Sequence, residues 1–104
     1  MEAAPVEVRR NNETGQFEVE LDGDIAFAQF RRLPEGVLFP HTVVPEAFEG
    51  RGVGSALVRA GLDWARAEGL KVLPACAFFA AYMTRHAETQ DLIHPDYRAR
   101  LGLT

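Results

Sequence analysis

The chain has 104 residues, 47% hydrophobic and 25% charged, with a formal net charge of −4. That length suits a single domain spanning residues 1–104 with a modest core, and the composition is ordinary for a soluble globular fold. Net negative charge argues against a nucleic-acid surface, and no apolar run approaches the length of a membrane span. One cysteine allows no internal disulfide, which fits a reducing cytoplasm, and no cationic segment leads into an apolar stretch as in a signal peptide.

The first half reads as strands. Val6-Glu7-Val8-Arg9 alternates, Asn11 to Gly15 carries turn chemistry, and Phe17-Glu18-Val19-Glu20-Leu21 alternates strictly. Asp22-Gly23-Asp24 predicts a hairpin turn into a strand from Ile25 to Leu33. Pro34-Glu35-Gly36 turns the chain again, and Val37 to Val44 completes an antiparallel meander of about four strands. The pairs Arg9-Arg10 and Arg31-Arg32, set among acidic residues, read as a solvated sheet face.

The period changes at Gly52. Val53, Ala56, Leu57, Ala60 and Trp64 recur at helical spacing, with Ser55, Arg59, Asp63 and Arg66 on the wet side and Gly69 as a C-terminal cap. Leu70-Lys71-Val72-Leu73 is a short apolar run after a helix, placed to add a strand parallel to the one ending at Val44. A second helix is expected from Ala75 to about His86, and another short helix in the tail between Asp91 and Leu103. The order ββββ-α-β-α makes the fold class α+β.

The chemistry concentrates where strand meets helix. The run Val43-Val44 stops at Pro45, and Gly50-Arg51-Gly52-Val53-Gly54-Ser55 opens into the helix. Glycines let backbone N–H groups approach a ligand, and the first N–H groups of a helix lack internal partners at its positive dipole end. Together they suit a phosphate or diphosphate. A tight turn needing glycine for geometry alone is the competing reading. The G-x-G-x-x-G dinucleotide frame fails at Ser55 and at Leu57, and the P-loop lysine is absent because Lys71 is the only lysine.

The stretch resembles the acyl-CoA motif of the GNAT superfamily of N-acetyltransferases, Gln/Arg-x-x-Gly-x-Gly/Ala. Gly52 and Gly54 are the motif glycines, Gly50-Arg51 the variable pair, and Glu49 stands where the family carries Gln or Arg. The resemblance runs from about His41 to His94, through His41-Thr42-Val43-Val44-Pro45, Leu62-Asp63-Trp64-Ala65 and Pro74-Ala75-Cys76-Ala77-Phe78, and points to a very small stand-alone subgroup. Typical members carry two extra helices between their first strands; this chain has no residues for them, which implies an open acceptor face.

The resemblance implies acetyl-CoA as co-substrate, anchored by Glu49, Gly50, Arg51, Gly52, Val53, Gly54 and Ser55. Thr42, Val43 or Val44 would lie beside the thioester at a splayed strand end. The acceptor is expected to be a primary amine. Cys76, just after Pro74 at the second helix's start, is placed near the expected CoA sulfur, where a helix N-terminus stabilises a thiolate. It is a candidate nucleophile or proton carrier, against the reading of a small buried hydrophobe. His41 is the candidate base, since imidazole exchanges protons near neutrality, against a structural polar group. Tyr82, six residues after Cys76, is placed like a family tyrosine that protonates the leaving thiolate; the stripe Phe79, Tyr82, Met83 and His86 equally reads as core. Neither C-x-x-C nor H-x-x-x-H spacing exists, so no metal is expected. The competing functions are a non-catalytic or regulatory CoA-binding module and a structural interaction domain.

Overall fold

The computed structural model describes residues 6–103. Seven strands run β1 (Arg9–Asn11), β2 (Gln16–Leu21), β3 (Asp24–Gln29), β4 (Arg31–Leu33), β5 (Gly36–Leu38), β6 (Thr42–Val43) and β7 (Val72–Leu73). The helices are α1 (Val53–Ala67), α2 (Ala77–Arg85) and α3 (Pro95–Arg100), with 3₁₀ turns at Glu46–Phe48 and Ala87–Leu92. The fold is α+β.

Local chemistry sets the turns. The Asn11 carboxamide oxygen accepts from the N–H groups of Glu13 and Thr14 at 3.0 and 3.2 Å, closing the β1–β2 turn. Asp22 and Gly23 both have positive φ, 53° and 85°, the requirement of a two-residue type I′ hairpin between Leu21 and Asp24. The first strand lies later than the alternation at Val6 predicts: pairing starts at Arg9, while Val6 and Val8 pack against the core outside any ladder.

The two long expected strands are each broken. β4 pairs with β5 through Arg31↔Leu38, and β3 pairs with β6 through Ala28↔Thr42. Between those rungs Gln29 and Phe30 face Phe39, Pro40 and His41, an extra residue that makes a bulge. Pro40 has no N–H to give a ladder, while the Phe30 N–H, on the opposite edge from that of Gln29, extends the β2–β3 pairing to the Gly15 carbonyl at 2.9 Å. The sheet therefore divides into β1-β2-β3-β6 and β4-β5-β7. β7 is parallel, as expected, and its partner is the Gly36–Leu38 half of the strand, with Val37↔Val72 and Leu38↔Leu73. The Thr42–Val43 end pairs with β3 alone.

One face of the sheets carries the core. Phe17, Val19, Ala26, Ala28 and Phe39 meet the α1 stripe of Val53, Leu57, Leu62 and Ala65. Phe39 and Phe79 stack at 4.0 Å, and Gly61 is the flat spot on α1 that admits both rings. Trp64 sits at the core's margin against Phe30 and Phe17, with the guanidiniums of Arg10 and Arg32 over it at 5.3 and 6.0 Å. So one arginine of each pair lies on an aromatic ring rather than simply in solvent. α1 ends in a Schellman motif: Gly69, at φ 69°, donates to Arg66, and Leu70 donates to Ala65. The tail returns to the sheet through the Val72↔Ile93 bridge, and His94 caps α3 by accepting from the Asp96 N–H at 3.1 Å. Among the described residues no helix is long and apolar enough to cross a membrane.

Candidate active site

Pro45 leads from β6 into the 3₁₀ turn, whose Phe48 is buried and pins the loop to the core. Beyond it Gly50 and Gly52 take left-handed φ of 77° and 72°, so the chain can reverse into α1 without strain. Gly52 is the N-cap, and the first bond of the helix runs from the Ala56 N–H to its carbonyl at 3.0 Å. That leaves the N–H groups of Val53, Gly54 and Ser55 without intrahelical partners, at the positive end of a 15-residue helix. A Cβ on Gly50 or Gly52 would meet no atom within 4 Å, so both glycines border open space.

That space is a groove of about 520 Å³ between the glycine turn and α2. One wall is Glu49, Gly50 and the start of α1; the other is the α2 stripe Phe78, Ala81, Tyr82 and Arg85. Phe78 is 44% exposed, and its ring lies so close to Gly54 that a Cβ there would come within 2.8 Å of it. The missing side chain thus lets α2 sit against the first turn of α1. Val44 carries the groove toward β6.

At that end the two sheets part. The β5–β7 ladder closes with the Phe39 N–H donating to Leu73 at 3.1 Å and the Cys76 N–H donating to Phe39 at 3.1 Å. His41 accepts from the Gln29 N–H at 2.8 Å, so residues 41 and 43 of this antiparallel strand face β3. Thr42 therefore turns its N–H and C=O to the other edge, into the gap between β6 and the start of α2. Cys76 is the N-cap residue of α2, extended at φ −92° and ψ 153°, and its Sγ lies 3.1 Å from the Thr42 Oγ1. This contact spans the mouth of the gap. The second helix starts two residues later than the expected Ala75, which puts Cys76 at the hinge between strand and helix.

Of the expected residues, Val44, Glu49, Gly50, Gly52, Val53, Gly54, Ser55 and Tyr82 line the groove, Thr42 and Cys76 meet each other next to its Val44 and Ala77 lining, and three lie elsewhere. Arg51 points away from the groove, 3.9 Å from the Asp22 carboxylate. Val43 pairs across β3 with Phe27 on the outer sheet face. His41 is on that outer face too: it is exposed, and its ring is 6.2 Å from that of Phe27, on the side of β6 opposite Thr42. Tyr82 is 8% exposed, borders the groove and stacks on His86 at 4.0 Å. Its position six residues after Cys76 separates the two by about 9 Å along the helix axis.

Sequence reasoning missed Phe78 and Arg85. Both follow from the i, i+3, i+4, i+7 spacing of Phe78, Ala81, Tyr82 and Arg85, one residue out of step with the Phe79–Met83 core stripe. No group of three or more His, Cys, Asp or Glu side chains gathers as for a metal ion among the described residues.

The family model for the GCN5-related N-acetyl-transferase matches residues 16–92. Protein NATD1 of Gallus gallus is 30% identical over 96 residues, covering 89% of this chain and 87% of that protein. Protein NATD1 of Mus musculus is 30% identical over 94 residues, covering 88% and 86%. The solution NMR structure of a GCN5-like protein from Staphylococcus aureus matches with a TM-score of 0.69 at 24% identity, covering 86% of this chain and 88% of that one. The chain belongs to the GCN5-related N-acetyltransferase family and is an acetyltransferase built on its fold.

Proposed function

We propose that the protein moves an acetyl group from acetyl-CoA to a primary amine, with the CoA lying along the groove and its thioester in the gap beside Cys76. The observation that carries this reading is that the groove and the gap are neighbours. Unspent helix N–H groups border the groove, and its lining includes Val44, which follows the β6 edge, and Ala77, which follows the Cys76 thiol. The glycine turn fits the group it must hold, since Gly50 and Gly52 leave the space beside them clear. The N–H groups of Val53, Gly54 and Ser55 supply donors for the diphosphate.

At the reacting end the N–H of Thr42, directed into the gap, polarises the thioester carbonyl and then stabilises the oxyanion. In direct transfer the amine nitrogen bonds to the carbonyl carbon and the C–S bond breaks. Its electron pair stays on the CoA sulfur, and the amine proton leaves through a base. Cys76 then serves as a proton carrier to that sulfur. In the two-step route the Cys76 sulfur takes the acetyl group first, CoA leaves as thiolate, and the amine displaces the Cys76 sulfur. Either route uses a thiol held at the mouth of the gap by the Thr42 hydroxyl 3.1 Å away. An amine entering from the outer sheet face would meet His41 as its base.

Thiol release with a panel of amines separates an enzyme from a silent CoA-binding module. Cys76→Ala should keep acetyl-CoA affinity within a few-fold while transfer drops by about 10²-fold, the scale of one lost proton-transfer group. An acetyl mass on Cys76 without acceptor marks the two-step route; full activity in Cys76→Ala removes the thiol from the mechanism. No calorimetric binding of acetyl-CoA to the native protein would sink the reading.

A further inference from the structure

CoA brings a diphosphate and a ribose 3′-phosphate into a groove whose charge is poorly matched to them. The first turn of α1 contributes the equivalent of about half a positive charge. Glu49, on the same wall, contributes a full negative one. Arg51 does not offset it, because its side chain is directed toward Asp22.

Among the described residues lining the groove, Arg85 is the one lysine or arginine. It lies in the last turn of α2, exposed, and no hydrogen bond or ion pair ties it to another described residue. Several other arginines are engaged: Arg66 forks onto Asp91, Arg9 pairs with Glu18, and Arg10, Arg32 and Arg100 lie over aromatic rings; Arg31 and Arg59 are tied to no other described residue, and neither lines the groove. Even the nearest acid along the chain, Glu88, lies 3.5 Å from the His86 ring nitrogen instead.

The position of Arg85 along α2 matters. Phe78 rests against Gly54, level with the N–H groups that would hold the diphosphate. Arg85 is seven residues beyond Phe78, about 10 Å further from Cys76 along the axis and on the same stripe. A thioester at Cys76 and a diphosphate at Gly54 put the ribose end of CoA in that direction. Ala81, between Phe78 and Arg85, keeps that wall low.

We propose that Arg85 is the nucleotide-phosphate residue of this site, its guanidinium pairing with the ribose 3′-phosphate of CoA and supplying, from the opposite wall, the positive charge that the glycine loop lacks. The inference rests on the CoA reading above. A planar guanidinium presents two parallel donors to a phosphate, a geometry that a lysine ammonium does not reproduce.

The test is calorimetric titration of the full chain with CoA and with 3′-dephospho-CoA, for the native protein, Arg85→Gln and Arg85→Lys, with melting measured alongside. Arg85 is exposed, so both variants should melt with the native protein. The native protein should bind CoA about tenfold or more tightly than dephospho-CoA, the scale of one charge-assisted contact. Arg85→Gln should lose that preference, binding CoA about tenfold more weakly and dephospho-CoA within about twofold of native, so that the two perturbations fail to add. Arg85→Lys should recover part of the preference. A folded Arg85→Gln that still prefers CoA by the native factor overturns the assignment, whether its affinity for both ligands is unchanged or equally reduced; equal reduction would move Arg85 to the diphosphate. Failure of the native protein to bind either ligand overturns the CoA reading itself, and with it this inference.

Discussion

Two glycines bracket α1 in the same backbone conformation, and they allow the phosphate cradle to be tested against its own control. Gly52 has φ 72° before the helix, Gly69 has φ 69° after it, and an added Cβ would meet nothing within 4 Å at either position. Alanine at either site must hold a left-handed φ, at a cost of about 1–2 kcal/mol. For a chain near 100 residues each kcal/mol shifts the melting temperature by about 4–8 °C, so the two variants should lose similar stability. Their ligand behaviour should differ. At Gly52 the new methyl stands in the groove beside the N–H groups of α1, whereas Gly69 lies at the other end of the helix. Isothermal titration with acetyl-CoA should show Gly52→Ala weakened by about tenfold or more, at least 1.4 kcal/mol, and Gly69→Ala unchanged. If both variants lose stability alike and both keep native affinity, the glycine turn is a geometric device only and the diphosphate lies elsewhere.

Gly61→Ala probes the core beneath the groove. Its Cβ would come within 3.0–3.1 Å of Phe39 and Phe79, two stacked rings with no exposed surface. Overpacking of about 1–3 kcal/mol should outweigh the gain of about 1 kcal/mol from removing a mid-helix glycine, and lower the urea midpoint; a raised midpoint would show that the rings can move aside. The surface pair Arg66–Asp91 governs an acid-dependent increment. The hydrogen bonds from the Arg66 guanidinium hold the Asp91 carboxyl below the usual carboxylate range, so its contribution is present above the unfolded value of about 3.9 and is lost as pH falls through the lower folded one. The melting difference between the native protein and Asp91→Asn should persist at neutral pH and close in acid; a gap constant with pH would deny the pair any electrostatic role.

What could be read from the chain was what short-range chemistry decides. Asp22-Gly23 makes its hairpin because both residues accept positive φ, and Gly52 and Gly69 mark the ends of α1 because a left-handed turn is needed at each. Cys76 could be placed near the helix start because Pro74 ends the preceding strand. The break in Val37 to Val44 was hidden. Its apolar, β-branched pattern continues past Pro40, and what divides it is the extra residue in Phe39–Pro40–His41 opposite Gln29 and Phe30, which depends on how separate strands pair. Arg85 was hidden for another reason: an arginine in the last turn of a helix is accounted for by the helix dipole, and its place on the groove depends on how α2 rotates against α1.

That rotation and the strand break together create the opening. β7 can pair with β5 because the α1 crossover returns the chain beside Gly36–Leu38, and the ladder continues until Cys76 donates to Phe39. There the chain leaves the extended conformation for α2, while the bulge at Phe39–Pro40–His41 has already carried β6 toward β3. Neither edge of the gap can then find a backbone partner across it. Gly54 fixes how far α2 stands off, since any side chain there would push Phe78 and the helix behind it outward. The Thr42–Cys76 contact spans the mouth with side chains alone, so it can open for a substrate without breaking a strand pair. A Thr42 N–H that no neighbouring strand uses is thus a consequence of the fold itself. The proposed reacting end needs only that the bulge, Gly54 and the turn at Cys76 keep their geometry.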